Sequence, residues 1–199
     1  GGLKAVWQIE SGLGSGTAGG ADGMGTGSIG TRNTFVGLAG GFGTAVIGRH
    51  DTPYKLGTAS LDIFGDTIAD YNGGGGNLLA GVQLLMGAHD ARTPNAIAYI
   101  SPTFGGFHAA VAVIATNAAA NGNSGDTFDG VSLTGVYANG PLFASFSYQN
   151  VEDADSFAGL AFGTADESAA WKLGASYAFG DTTVGFVYED VNTDLTAGG

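Results

Sequence analysis

The sequence predicts an all-β chain of the transmembrane antiparallel β-barrel kind, on three observations. Charged residues make up 12% of the chain and hydrophobic residues 44%, against about 25% charged in ordinary globular domains. A surface short of charge but not of apolar groups does not meet water all round. Apolar residues recur with period two over short segments, and no run of about 18 exists for a transmembrane helix. Connections alternate between short turns and long polar loops, which membrane barrels do and a soluble β-sandwich has no reason to do. The composition also excludes other classes. A formal net charge of −12 leaves no cationic face for nucleic acid. The absence of cysteine removes disulfide frameworks and thiol chemistry. The chain begins GGLKAVWQIE, without initiator Met or signal peptide, and reads as mature or incomplete.

The first strand, Gly2 to Glu10, sets Leu3, Ala5, Trp7 and Ile9 against Lys4, Val6, Gln8 and Glu10. Ser11 to Gly30 is a Gly-, Ser- and Thr-rich loop without the nonapeptide period of calcium-binding repeats. Thr31 to Ala39 and Thr44 to His50 form a hairpin across the turn Gly40 to Gly43. Gly48 is a candidate bulge, so the faces of Ile47 and Arg49 stay open.

The stretch Gly48 to Asn72, GRHDTPYKLGTASLDIFGDTIADYN, is not a strand. Alternation fails, and Pro53, Gly57 and Gly65 punctuate it. Asp62, Asp66 and Asp70 recur every four residues, which would set three carboxylates on one side of a short helical turn. Leu61, Ile63, Phe64 and Ile68 need a surface to pack on. Loops of this length without regular structure are usually functional or disordered, and the apolar residues speak against disorder. Two readings stand: a loop folded inward against a wall, or a surface loop with solvated Asp residues.

Four glycines, Gly73 to Gly76, precede the apolar segment Leu78 to Met86, read as a strand. Pro94 sets the start of a short strand, Asn95 to Ile100. The turn Ser101 to Gly106 leads into Phe107 to Thr116. Asn117 to Asp129 is loop. Val131 to Ala138 and Leu142 to Asn150 pair across Asn139 to Pro141. Val151 to Ser168 is an acidic loop, and Ala169 to Phe179 pairs with Thr183 to Asp190 across Gly180-Asp181. The count is about nine strands. Alternation puts Trp7, Phe146, Trp171, Leu173, Val184 and Phe186 toward lipid and Lys4, Gln8, Ser147 and Lys172 toward a lumen. Aromatics near strand ends (Trp7, Phe42, Phe107, Tyr148, Trp171, Phe179, Tyr188) sit where a girdle would lie. The edge aromatics of a sandwich are the competing reading.

No catalytic constellation stands out, and neither enzyme activity nor a cofactor is expected. His50, His89 and His108 are scattered without metal-ligand spacing and read as isolated polar residues. No nucleophile elbow is present, and no Lys-Ser/Thr follows the loop glycines. The loop acids Glu152, Asp153 and Asp155 are candidates for Ca²⁺ or Mg²⁺, with a solvated acidic loop as the alternative.

The segments LKAVWQIES, TRNTFVGLAGGFGTAVIGRHDTPYK, LDIFGDTIADYN, NAIAYISPTFGGF and WKLGASYAFGDTTVGFVYE cover nearly the whole chain. In this order they resemble the general Gram-negative outer-membrane porins of neisserial and β-proteobacterial type. The resemblance implies a water-filled, homotrimeric barrel of 16 strands in the bacterial outer membrane. Such a barrel passes ions and small hydrophilic solutes passively and lies against lipid and lipopolysaccharide. It implies a single, partial porin domain over 1–199, with Asp51 to Gly76 folded into the lumen as the constriction loop. Opposite that loop the family carries a ladder of basic side chains. Arg49 matches one such position, with Lys4 and Arg32 as neighbours, so Asp62, Asp66 and Asp70 are expected to face Arg49, Arg32 and Lys4. The family's basic residue near Ala98 is missing here, and Arg92 lies outside the match. Nine strands cannot close such a barrel, which implies an internal portion of a longer chain. A structural or adhesive surface protein using its Gly- and Asp-rich loops is the rival function, and channel conductance separates the two.

Overall fold

Among the described residues, nine strands form one antiparallel sheet in which every strand pairs with its sequence neighbour. The computed structural model describes residues 2–11, 29–65, 89–115, 128, 130–152 and 165–195. The strands are β1 (Lys4–Ile9), β2 (Thr34–Gly40), β3 (Gly43–Asp51), β4 (Arg92–Ile100), β5 (Phe107–Ile114), β6 (Gly130–Asn139), β7 (Leu142–Glu152), β8 (Ala165–Phe179) and β9 (Thr182–Leu195). No described helix is long and apolar enough to cross a membrane.

The register fixes the two faces. One row of partners runs Val6, Gly37, Val46, Ala98, Ala112, Ser132, Gln149, Ala170. From Val46 onward every member of that row is buried. Side chains alternate, so the neighbouring positions point the other way, and there large apolar groups lie open: Trp7 at 72% exposure, Phe186 at 63%, with Phe146, Leu173 and Val184. A continuous exposed apolar face of this kind is solvated by lipid, not water. Ser147 and Lys172 fall on the opposite, buried face, as alternation predicts. Trp171 shares the side of Leu173 and is half-buried, its ring 5.2 Å from that of Tyr188.

The short turns carry aromatic groups at their rims. Phe42, Phe104, Phe107 and Phe179 are exposed beside them. The Tyr99 hydroxyl donates to the Phe42 carbonyl at 2.5 Å, and the rings of Tyr177 and Phe179 lie 4.6 Å apart. Amphipathic rings at one level of a sheet mark a lipid–water boundary.

Several strand boundaries differ from those the sequence suggests. β4 starts at Arg92 and runs through Pro94. Gly48 pairs with Ala96 and His50 with Thr93, so Pro94 and Asn95 together oppose Arg49. The bulge is therefore carried by β4, with Asn95 at φ 55°, and a bulge is one of the few sheet positions where a missing N–H costs nothing. Arg49 pairs with Thr34 in the β2 ladder, directly after Gly48, whose φ of 139° interrupts the extended backbone there. The acidic loop is also shorter than expected, because β7 reaches Glu152 and β8 begins at Ala165, with Glu152 opposite Glu167. β9 likewise continues to Leu195. Polar strand ends persist as ladder where they stand in water beyond a membrane. The strand expected over Leu78 to Met86 lies outside the described residues.

Candidate functional site

After β3 the chain turns onto the buried face. Thr52 caps a short helix, α1 (Pro53–Leu56), its hydroxyl accepting from the Lys55 N–H at 3.3 Å. Proline at the first helical position loses no hydrogen bond there. A 3₁₀ turn, Ala59–Leu61, follows. Among the described residues of this segment, helical structure ends at Leu61; Asp66 and Asp70 of the expected helical turn lie outside them. At Asp62 the backbone is already extended, and its carboxylate accepts from the Phe64 N–H at 2.9 Å. An Asp that caps a turn with its own side chain competes with helix continuation.

This segment packs on the inner faces of β6 to β9. The Tyr54 N–H donates to Ser132 Oγ at 2.9 Å, and its hydroxyl donates to the Glu189 carboxylate at 2.5 Å. The Lys172 ammonium lies 4.2 Å from the centre of the Tyr54 ring, a cation–π contact made stronger by desolvation. Two glycines allow the approach. A Cβ at Gly57 would collide with the hydroxyls of Ser147 and Thr134, and one at Gly174 would meet Ser145, Leu61 and Thr58.

The return leg is clamped at the same place. Lys172 and Asp90 form an ion pair with both side chains wholly buried. Gln149 donates to His89 Nδ1 at 3.0 Å, so Nε2 carries the proton it gives to Ser168 Oγ at 2.9 Å. Ser168 in turn reaches Thr193 at 2.9 Å. Burial, and then the Lys172 charge, pull the His89 imidazole down to about 4. Burial pushes the Asp90 carboxyl up, against the opposing pull of Lys172. The Tyr54 phenol is driven far above its ordinary range by burial and then by Glu189.

A second charged group stands where the segment leaves β3. The Asp51 carboxylate meets Lys55 at 3.0 Å and Arg92 at 3.3 Å. Asn33 donates to it at 2.7 Å and accepts from Arg92 at 3.0 Å. Arg49 lies within reach of the charges of Arg92 and Asp51, and its Nε has no hydrogen-bond partner among the described residues. Arg32 is paired with Glu10 at 2.5 Å, and that bond holds the Glu10 carboxyl below its usual range despite partial burial.

The residues expected at a constriction are therefore only partly together. Arg49 stands with Arg92, Lys55 and Asp51. Lys4 pairs with Ala39, five ladder positions from the Thr34–Arg49 pair, or about 17 Å along the strand. Asp62 follows a turn that packs on β8 and β9. Asp66 and Asp70 lie outside the described residues, as do Asp153 and Asp155. Glu152 is exposed at the end of β7. No cluster of three metal-ligating side chains occurs among the described residues. Sequence reading missed Tyr54, Asp90, Gln149 and the role of His89, which is not an isolated polar residue. The one visible signal was long polar side chains, Gln149 and Lys172, at inward positions of otherwise small-residue strands.

Known proteins share this architecture. The family described as Gram-negative porin matches residues 1–199. Outer membrane porin protein 32 of Delftia acidovorans is 32% identical over 182 residues, covering 90% of this chain and 48% of that protein. Major outer membrane protein P.IB of Neisseria gonorrhoeae is 31% identical over 148 residues, 73% of this chain and 36% of that one. The solved anion-selective porin from Comamonas acidovorans superposes with a TM-score of 0.69 at 25% identity, over 100% of this chain and 56% of that chain. Salmonella typhi OmpF, solved in complex with daunomycin, shares the fold with a TM-score of 0.56 at 18% identity, over 83% of this chain and 47% of that one. The chain spans about half the length of these relatives, or less. Matched along its length by the family and sharing the relatives' sheet, it belongs to the Gram-negative porins of the outer membrane.

Proposed function

We propose that the full-length protein is a water-filled outer-membrane channel through which ions and small hydrophilic solutes diffuse passively. One observation carries the reading: the segment from Thr52 to Asp62 lies on the inner face of the sheet and is fixed there at both ends. A segment inside a barrel narrows its lumen, and charges around a narrow lumen are poorly screened. In this reading Asp62, with Asp66 and Asp70 beyond it, stands on one side of the passage. The basic group of Arg49, Arg92 and Lys55, with Arg32 and Lys4 further off, stands on the other. The transverse field orients dipolar solutes and penalises apolar ones. A homotrimer in contact with lipid and lipopolysaccharide belongs to the same proposal.

Reconstitution of the full-length protein in planar bilayers tests it. Stepwise, ohmic conductance increments that scale with salt are expected. A preparation that inserts as folded barrel yet conducts nothing would remove the channel and leave a surface protein.

A further inference from the structure

The inner face is not uniform. On β6 to β8 it is polar, with Ser132, Thr134, Ser145, Ser147, Gln149 and Lys172. On β3 to β5 it carries an apolar patch, Val46, Ala98, Ala110 and Ala112, and there a cavity of about 330 Å³ opens between the wall and α1. Val6, Phe35, Val46 and Ala98 form its floor, and Pro53 and Leu56 of the inward segment form its side. Ion passage gives no reason for an apolar hollow on a wetted wall. Its volume lies at the lower end of the range of small-molecule sites, which combine apolar linings with a few placed polar groups.

The polar groups sit at one end: Asn33, His50 and Asp51. Asn33 is committed, donating to the Asp51 carboxylate and accepting from Arg92 and from the Asp51 N–H. The Asp51 carboxylate is held by Lys55 and Arg92. His50 differs. It is 7% exposed, its Nδ1 donates to the Asp51 carbonyl at 3.0 Å, and its Nε2 is buried with no partner among the described residues. With the proton on Nδ1, Nε2 of a neutral ring is an acceptor. A buried acceptor left unmatched keeps an uncompensated desolvation penalty, and a ligand donor relieves it.

We propose that this cavity binds small phenols: a compact aromatic body against Val6, Phe35, Val46 and Ala98, with the hydroxyl donating to His50 Nε2. An ammonium donor would meet the positive charges of Arg92, Lys55 and Arg49. A carboxylate would set an acceptor against an acceptor. A neutral hydroxyl meets neither objection. The site rests on the channel reading, since solutes reach it from the lumen.

Calorimetric titration of 4-ethylphenol into the full-length porin in detergent micelles at pH 8 tests it, against the same titration of His50→Phe. The parent is expected to bind saturably. Binding should weaken at least tenfold for 4-ethyltoluene, which lacks the hydroxyl, and at least tenfold for 4-ethylphenol in His50→Phe. Val46→Phe, which fills the cavity and keeps His50, should lose both ligands. Equal affinity in parent and His50→Phe, tighter binding of 4-ethylbenzoate, or only the linear signal of micelle partition would overturn the site. Potassium chloride conductance of the parent is measured alongside, so absence of a channel is told apart from absence of the phenol site.

Discussion

At Gly57 the inward segment lies directly against the wall. A single methyl group there would overlap the hydroxyls of Ser147 and Thr134, both on strands whose backbones are locked into ladders. Gly57→Ala is therefore expected to cost about 1–3 kcal/mol, the usual penalty of overpacking, and to lower the melting temperature of the full-length barrel followed by circular dichroism. An unchanged melting temperature would mean that the segment does not rest on this wall. The Lys172–Asp90 pair makes a sharper test at the same scale. Removing one partner of a buried pair leaves an uncompensated charge and costs roughly 3–5 kcal/mol, whereas replacing both by apolar groups is often neutral. Lys172→Met alone should destabilise by that order, and Lys172→Met with Asp90→Leu should recover most of it in denaturant titrations. A double variant no better than the single would show that the pair is not wholly desolvated.

At the scale of the element, the inward segment and its return leg respond to acid through His89. Burial holds the folded imidazole at about 4, against about 6.5 in the unfolded chain. Between these values the unfolded state binds more protons, so stability falls as pH drops through 6.5 toward 4. The integrated effect is on the order of 3 kcal/mol. Asp90, raised by burial, titrates with the opposite sign in part of that window. The His89 contribution is read as the difference between parent and His89→Gln: stability of the parent should drop relative to the variant below pH 6.5, and parallel curves would exclude it. Much of this element was not legible beforehand, and the reasons are physical. The strands were readable because lipid on one side and a polar interior on the other impose period two, as in β1, β7 and β8. Pro94 misled because a bulge removes the cost that normally ends a strand there. The Asp spacing meets the structure only at Asp62, where the backbone is extended and the carboxylate caps a turn; Asp66 and Asp70 lie outside the described residues. The Tyr54–Lys172–Asp90–His89 contacts carry no local pattern, since each joins residues far apart in the chain.

For the whole molecule, the charges on the two sides of the proposed passage set its ion preference. Asp62→Asn removes a negative charge from the segment and should move the reversal potential in a salt gradient toward anion preference. Arg49→Ser should move it toward cations. Each neutralisation should alter selectivity more than conductance, because it changes field and not bore. If both leave the reversal potential in place, neither residue lines the narrow region. Six basic residues stand against 18 acidic ones in the chain, but charges farther away than a Debye length of about 8 Å at physiological salt contribute little. The count alone therefore decides nothing, and on the proposed reading the few groups around Asp51 decide most.

The docking of the inward segment also orders events in time. Its anchoring bonds span 78 residues from Tyr54 to Ser132, 135 from Tyr54 to Glu189 and 82 from Asp90 to Lys172, whereas every strand pairs with its immediate successor. Hairpins close early because little chain entropy opposes them, and contacts of long separation come late. The segment needs β6 to β9 as a surface to receive it, so its interactions are expected to form after the rate-limiting step. Tyr54→Phe should consequently accelerate unfolding of the full-length barrel from detergent while leaving its refolding rate nearly untouched. A slowed refolding limb would place the segment in the folding nucleus instead. Kinetic lifetime of the barrel is then governed by a short piece of chain that takes no part in building its wall.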